Sequence, residues 1–95
     1  MEKDLTQNTG FKKLCKGLAS LSDAKKVAKL LRDVATLKEC LDMSERLQAA
    51  EMIQKGLPYR SINEKTGIST TTITRVAHWL HHGMGGYELV LDKKK

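Results

Sequence analysis

Between Tyr59 and Val76, two runs of helical apolar spacing meet at one glycine, and that junction restricts the fold more than any other feature of the chain. The first run follows Pro58, carries Ile62, and predicts a helix of about eight residues ending at Gly67. Glycine can take the positive φ that a tight turn demands. Ile68 then packs beneath the turn, Ser69 caps a second helix running from about Thr70 to Leu80, and Ile73 and Val76 supply its inward face. Ile62, Ile68, Ile73 and Val76 make one apolar set that fixes two short helices at a steep angle. Ser69, Thr70, Thr71, Thr72, Thr74, Arg75 and His78 are left facing outward.

β-Branched threonine loses rotamer freedom in a helix, so a cluster of hydroxyl residues at a helix start serves stability poorly. It suits a surface that enters a DNA major groove. Hydroxyls donate or accept at phosphates and base edges, threonine methyls meet thymine methyls, and the helix N-terminus attracts phosphate. The segment from Pro58 to Leu80 therefore reads as a helix-turn-helix whose recognition helix starts near Thr70. One position departs from the pattern. Asn63 stands where such motifs usually set a small alanine against the second helix.

The rest of the chain is helical in period, and no strand-like alternation is long enough to matter. Residues 1–9 are polar and predict a flexible N-terminus, followed by a single helical domain over 10–91 and a basic tail over 92–95. Phe11, Leu14, Cys15 and Leu18 recur at i, i+3, i+4 and i+7, which places them on one helical stripe. Ser22 is read as the cap of the next helix, with Val27, Leu30, Leu31 and Val34 inward and Lys25, Lys26, Lys29 and Arg32 on the other side. Thr36-Leu37-Lys38-Glu39 fits a capping box. Ser44 is read as a further cap that opens a helix ending at Gly56.

Composition narrows the partners. Seventeen Lys and Arg against eleven Asp and Glu give a net charge of +6, a balance that favours a polyanion because each neutralised phosphate releases a counterion. Residues 1–56 carry eleven cations against eight acids and residues 57–95 six against three, so charge density is higher in the shorter C-terminal part, partly through the Lys93-Lys94-Lys95 tail. A chain of this size with four aromatics builds only a thin aliphatic core, which predicts a homodimer whose second subunit completes it. Cys15 and Cys40 have neither metal-ligand spacing nor a disulfide framework around them. No apolar run approaches the ~20 residues of a membrane span, and no signal peptide opens the chain. A cytoplasmic protein with no membrane partner is expected.

Other features take bland readings. His78, His81 and His82 lack the further ligands zinc wants at fixed spacing, so no metal and no cofactor is assigned. Trp79 is read as core or dimer interface. Tyr59 either meets phosphate or packs on the first turn of the motif. Gly83, Gly85 and Gly86 end a helix; without a preceding strand they are no nucleotide loop. Tyr87 to Leu91 is read as a docking segment. No nucleophile–base arrangement appears, and catalysis is not expected.

From about Leu31 to Leu91 the sequence resembles the bacterial tryptophan-repressor superfamily, and looks closest to its small TrpR-related YerC/YecD branch. The stretches that carry the likeness are Arg46-Leu47-Gln48-Ala49-Ala50, Lys55-Gly56, Thr66-Gly67-Ile68-Ser69, Thr72-Ile73-Thr74-Arg75-Val76 and Gly83-Met84-Gly85-Gly86-Tyr87. The resemblance implies an all-α, intertwined homodimer that presents a pair of recognition helices to double-stranded DNA. By position it makes Arg60 a DNA-contacting arginine, and Thr72 and Thr74 recognition-helix hydroxyls. It also makes Arg46 and Arg75 the arginines that flank the indole of bound tryptophan in the repressor. The repressor's glycine after the second arginine is Val76 here, whose added carbons occupy volume the indole needs.

Three functions compete at this point. A sequence-specific transcriptional regulator, a repressor by resemblance, comes first, with tryptophan excluded as corepressor and an unidentified small-molecule effector left open. A helical protein-interaction or structural module without specific DNA binding is the second. A His-based metal enzyme is the third and would need a stoichiometric metal.

Overall fold

Capping side chains and glycines punctuate the chain. A computed structural model describes residues 3–91, so the basic tail at 92–95 lies outside the described residues. All described secondary structure is helical: α1 (Lys3–Gln7), α2 (Thr9–Ala19), α3 (Ala24–Val34), α4 (Leu37–Gln54), α5 (Tyr59–Thr66), α6 (Thr70–His82) and α7 (Gly86–Leu91). No helix among the described residues is long and apolar enough to cross a membrane. Backbone contacts cluster into two compact units, Met1–Cys40 and Leu41–Lys95, where the sequence expects one domain.

In the first unit, the flexible end expected over residues 1–9 contains a helical turn at Lys3–Gln7. Asn8 starts α2 at once, its Oδ1 accepting from the Phe11 N–H at 2.8 Å. The cap of α3 is Asp23 and not Ser22: Asp23 Oδ1 accepts from the Lys26 N–H at 2.9 Å, while Ser22 Oγ lies 3.3 Å from Lys26 Nζ. Asp23 has the extended backbone of a cap and its carboxylate takes the third backbone N–H of the helix, so the start lies one residue beyond Ser22. The Thr36–Glu39 capping box forms, with Glu39 Oε1 accepting from the Thr36 N–H at 2.8 Å and Thr36 Oγ1 accepting from the Glu39 N–H at 3.1 Å. Neither α2 nor α3 contains a buried residue. Their apolar stripes reach only half-burial, at Phe11, Leu18, Val27, Leu30 and Leu31, and Val34 is exposed.

Ser44 is not a cap. It lies inside α4, which runs unbroken because no Gly or Pro interrupts residues 37–54. The helix ends in a Schellman turn: the Gly56 N–H donates to the Ile53 carbonyl at 2.9 Å and the Leu57 N–H to the Met52 carbonyl at 3.1 Å. The core of the second unit gathers Ala49 and Ala50 from α4, Ile62 from α5, Ile68 from the turn, Ile73 and Val76 from α6, and Leu91 from α7. Met52, Ile53, Leu57 and Tyr87 pack around it. Two alanines on α4 admit close approach, and Ile62 and Ile73 fill the space with no residual exposure. Tyr87 to Leu91, read from sequence as a docking segment, is the helix that closes this core through Leu91.

Candidate nucleic-acid interface

The turn between α5 and α6 is held by a web of local hydrogen bonds. Pro58 is the N-cap of α5, where a missing N–H costs nothing, and Gly67 ends the helix at φ 78°, donating its N–H to the Asn63 carbonyl at 2.8 Å. Thr66 Oγ1 donates to the Ile62 carbonyl at 2.6 Å and accepts from the Ile68 N–H at 3.0 Å. Asn63, the departure from the motif pattern, donates through Nδ2 to the Ile68 carbonyl at 2.8 Å. That amide ties α5 across the turn, a task no alanine could perform. Sequence reasoning missed both staples. The signal was a hydroxyl and an amide placed within one helical turn of a left-handed glycine.

Ser69 caps α6 as expected, its Oγ accepting from the Thr72 N–H at 3.1 Å and donating to Thr72 Oγ1 at 3.0 Å. Ile73, Val76 and Ala77 turn inward and are buried. Thr71, Thr74, Arg75 and His78 stand at i, i+3, i+4 and i+7 and are all exposed, so they share one outer face. Thr70 is exposed beside them. Thr72 differs from its neighbours: it is half-buried and engaged with the cap, at the edge of that face. Among the described residues, the side chains of Thr70, Thr71, Thr74 and Arg75 are not engaged by any other group.

Arg60 lies on α5 with its Nε 3.9 Å from Glu64 Oε2, and both side chains are largely in solvent. Such an exposed pair is weak, about 0–1 kcal/mol, and yields readily to a phosphate. Tyr59 is exposed beside it. The His78 ring meets Trp79 edge-on at 4.8 Å and lies 5.0 Å from the His82 ring. Trp79, read from sequence as core or dimer interface, is 55% exposed within the chain. At the far end of α6 a Cβ on Gly83 would collide with the Trp79 carbonyl, so the chain can leave the helix there only through glycine. No cluster of three or more metal-ligating side chains occurs among the described residues.

The candidate effector residues divide differently. Arg46 on α4 and Arg75 on α6 are both exposed, whereas Val76 is 3% exposed and belongs to the core with Ile62 and Ile73. The valine therefore fills its space.

Comparison with known proteins gives one consistent picture. The family model for Trp repressor protein matches residues 9–95. An uncharacterized protein, YerC of Bacillus subtilis (strain 168), is 33% identical over 95 residues, covering all of this chain and 91% of the relative. Among solved structures, a TrpR-like protein from Eubacterium eligens ATCC 27750 superposes with a TM-score of 0.89 at 33% identity, over 96% of this chain and 94% of the other. A candidate Trp repressor from Staphylococcus aureus superposes with a TM-score of 0.89 at 30% identity, over 99% and 94%.

Proposed function

The chain belongs to the Trp repressor family, on its YerC-like side, and from that premise we propose that it is a sequence-specific DNA-binding transcriptional regulator, a repressor acting as a homodimer. One observation carries the reading: α6 is anchored through buried Ile73, Val76 and Ala77 while Thr71, Thr74, Arg75 and His78 line an opposite face with unengaged hydroxyl and guanidinium groups. An inward stripe fixes the helix and leaves the outer groups free to exchange water for base edges. α5 and α6 form the helix-turn-helix, Arg60 holds the phosphate backbone, and Ser69, Thr70 and Thr72 border the groove-facing surface. The dimer is supported by the apolar stripes of α2 and α3, which reach no full burial within the chain. It presents two recognition helices to successive major grooves about 34 Å apart, so the site is pseudo-palindromic.

The test is selection of duplexes from a random pool, followed by anisotropy titrations of the selected and a scrambled duplex. Thr71→Ala and Thr74→Ala should lower preference for the selected site by about 1–3 kcal/mol for each base edge no longer met. Selection that enriches no sequence, or enrichment indifferent to both substitutions, would favour a helical interaction module over a regulator.

A further inference from the structure

Cations are unevenly spread along the described helices. Over α2, α3 and the capping Asp23, seven cations face two acids; over Leu41–Leu91, five cations face five acids. Taken whole, Met1–Cys40 carries nine cations against five acids and Leu41–Lys95 eight against six, so the contrast lies in the helices α2 and α3 themselves. Lys12, Lys13 and Lys16 on α2 and Lys25, Lys26, Lys29 and Arg32 on α3 are all exposed. On α3, Lys25, Lys29 and Arg32 recur at i, i+4 and i+7, on the side opposite Val27, Leu30, Leu31 and Val34. On α2, Lys12 and Lys16 stand one turn apart, away from Leu14 and Leu18.

Like charges one turn apart disfavour a helix by a few tenths of a kcal/mol each, and Asp33 is the one acid within α2 and α3 to offset them. Among the described residues none of the seven is held in an ion pair. The nearest contacts are neutral: Lys26 Nζ with Ser22 Oγ at 3.3 Å, and Arg32 donating to the Ala35 carbonyl at 3.1 Å. In the second unit, by contrast, Lys55 and Arg60 each lie 3.9 Å from a glutamate.

We propose that the basic faces of α2 and α3 are a phosphate-contacting surface for duplex DNA, which supplies sequence-independent, salt-sensitive affinity while α6 selects sequence. The inference rests on the DNA-binding reading above and divides its labour. Arg60 is the one phosphate contact assigned above to the helix-turn-helix, whereas a stripe of unpaired cations releases about one counterion per phosphate met. An anionic bilayer fits less well. A membrane-surface helix must bury its apolar face in lipid, and on the dimeric reading the apolar faces of α2 and α3 are covered by the second subunit.

The experiment compares full-length wild type with Lys25→Gln/Lys29→Gln/Arg32→Gln on the selected and scrambled duplexes across a salt series. The slope of log affinity against log salt should fall by about 0.9 for each phosphate no longer neutralised. Near 0.15 M salt that amounts to a loss on the order of 100-fold for three phosphates, shrinking as salt rises. The ratio between the two duplexes should hold, and Lys25→Arg/Lys29→Arg/Arg32→Lys should keep the wild-type slope. Lys55→Gln, outside the stripe, should leave the slope near wild type. A wild-type slope in the glutamine variant overturns the inference and leaves the DNA-binding reading standing. Equal loss in the charge-conserving variant, or binding of the wild type to phosphatidylserine vesicles in preference to either duplex, also overturns it. Wild type that binds neither duplex overturns both readings.

Discussion

Replacing Asn63 by aspartate changes one functional group and leaves its shape intact, so it isolates the bond across the α5–α6 turn. Nδ2 donates to the Ile68 carbonyl at 2.8 Å from a half-buried position. In Asn63→Asp an acceptor faces an acceptor at that separation. Helix propensities of the two residues are nearly equal and cancel. What remains is a broken hydrogen bond and an unsatisfied pair of oxygens, about 1–2 kcal/mol at half-burial. A further few tenths come from a negative charge in the last turn of α5, at the unfavourable end of the helix dipole. For a chain this small each kcal/mol lowers Tm by about 4–8 °C.

Asn63→Ala should cost less, since about 1 kcal/mol of forfeited bonding is offset by up to ~0.7 kcal/mol of helix propensity. The aspartate deficit must also depend on pH. Protonated, the new carboxyl can donate to the Ile68 carbonyl, so folding raises its pKa above the ordinary value near ~4. A raised folded pKa means the stabilising contact is present at low pH and disappears as pH rises through that value. Urea denaturation of variant and wild type, at equal protein concentration and at neutral and acidic pH, measures the difference. Equal stability at neutral pH, or a deficit that does not shrink on acidification, would refute the assignment of Asn63 as the turn's latch.

Ile73→Ala removes a fully buried side chain from the α5–α6 core and should cost about 2–5 kcal/mol in the same denaturation assay. Gly83→Ala sets a Cβ against the Trp79 carbonyl, so it should lower Tm and perturb the fluorescence of the single tryptophan, Trp79, whereas Gly17→Ala, with open space around it, should not lower Tm. Dilution should reveal the dimer: sedimentation velocity should give twice the chain mass at micromolar concentration, and a folded monomer there would contradict the reading. Calorimetry with free L-tryptophan should detect no binding that tightens DNA affinity, because an indole and Val76 would compete for one volume at a cost of about 1–3 kcal/mol.

The second unit was more legible than the first. Its turn is written in residues with restrictive backbones or caps, Gly56, Pro58, Gly67 and Ser69, and each stands where local chemistry puts it. The apolar set of Ile62, Ile68, Ile73 and Val76 follows from helical period and the turn between the two helices, and it forms part of the observed core. Errors fell where a residue type has two uses. Ser44 resembles a cap but rides inside α4, because serine caps a helix only where the backbone leaves it. Thr72 looks like a free groove hydroxyl, yet the serine three residues earlier captures it. Asn63 read as a defect since its partner is a backbone carbonyl, which sequence does not display. In the first unit, stripes on α2 and α3 were plain, but their failure to reach burial is a property of packing, invisible to periodicity.

The same packing bears on how such a regulator would be controlled. An effector shifts an equilibrium only by the difference in its affinity for two states, and useful coupling is about 1–3 kcal/mol. α6 enters its core through Ile73 and Val76, both essentially without exposure, and its start is tied to α5 by the turn's hydrogen bonds. Displacing it would expose those side chains at roughly 1.5–3 kcal/mol each, more than an effector of ordinary coupling returns. α6 is therefore held in place by its own packing. The least anchored part of the described chain is the first unit, whose helices bury no residue of their own. On the dimeric reading, control acts on assembly: a signal that covers or frees the apolar faces of α2 and α3 would change how many paired recognition helices exist, and leave the geometry of each untouched.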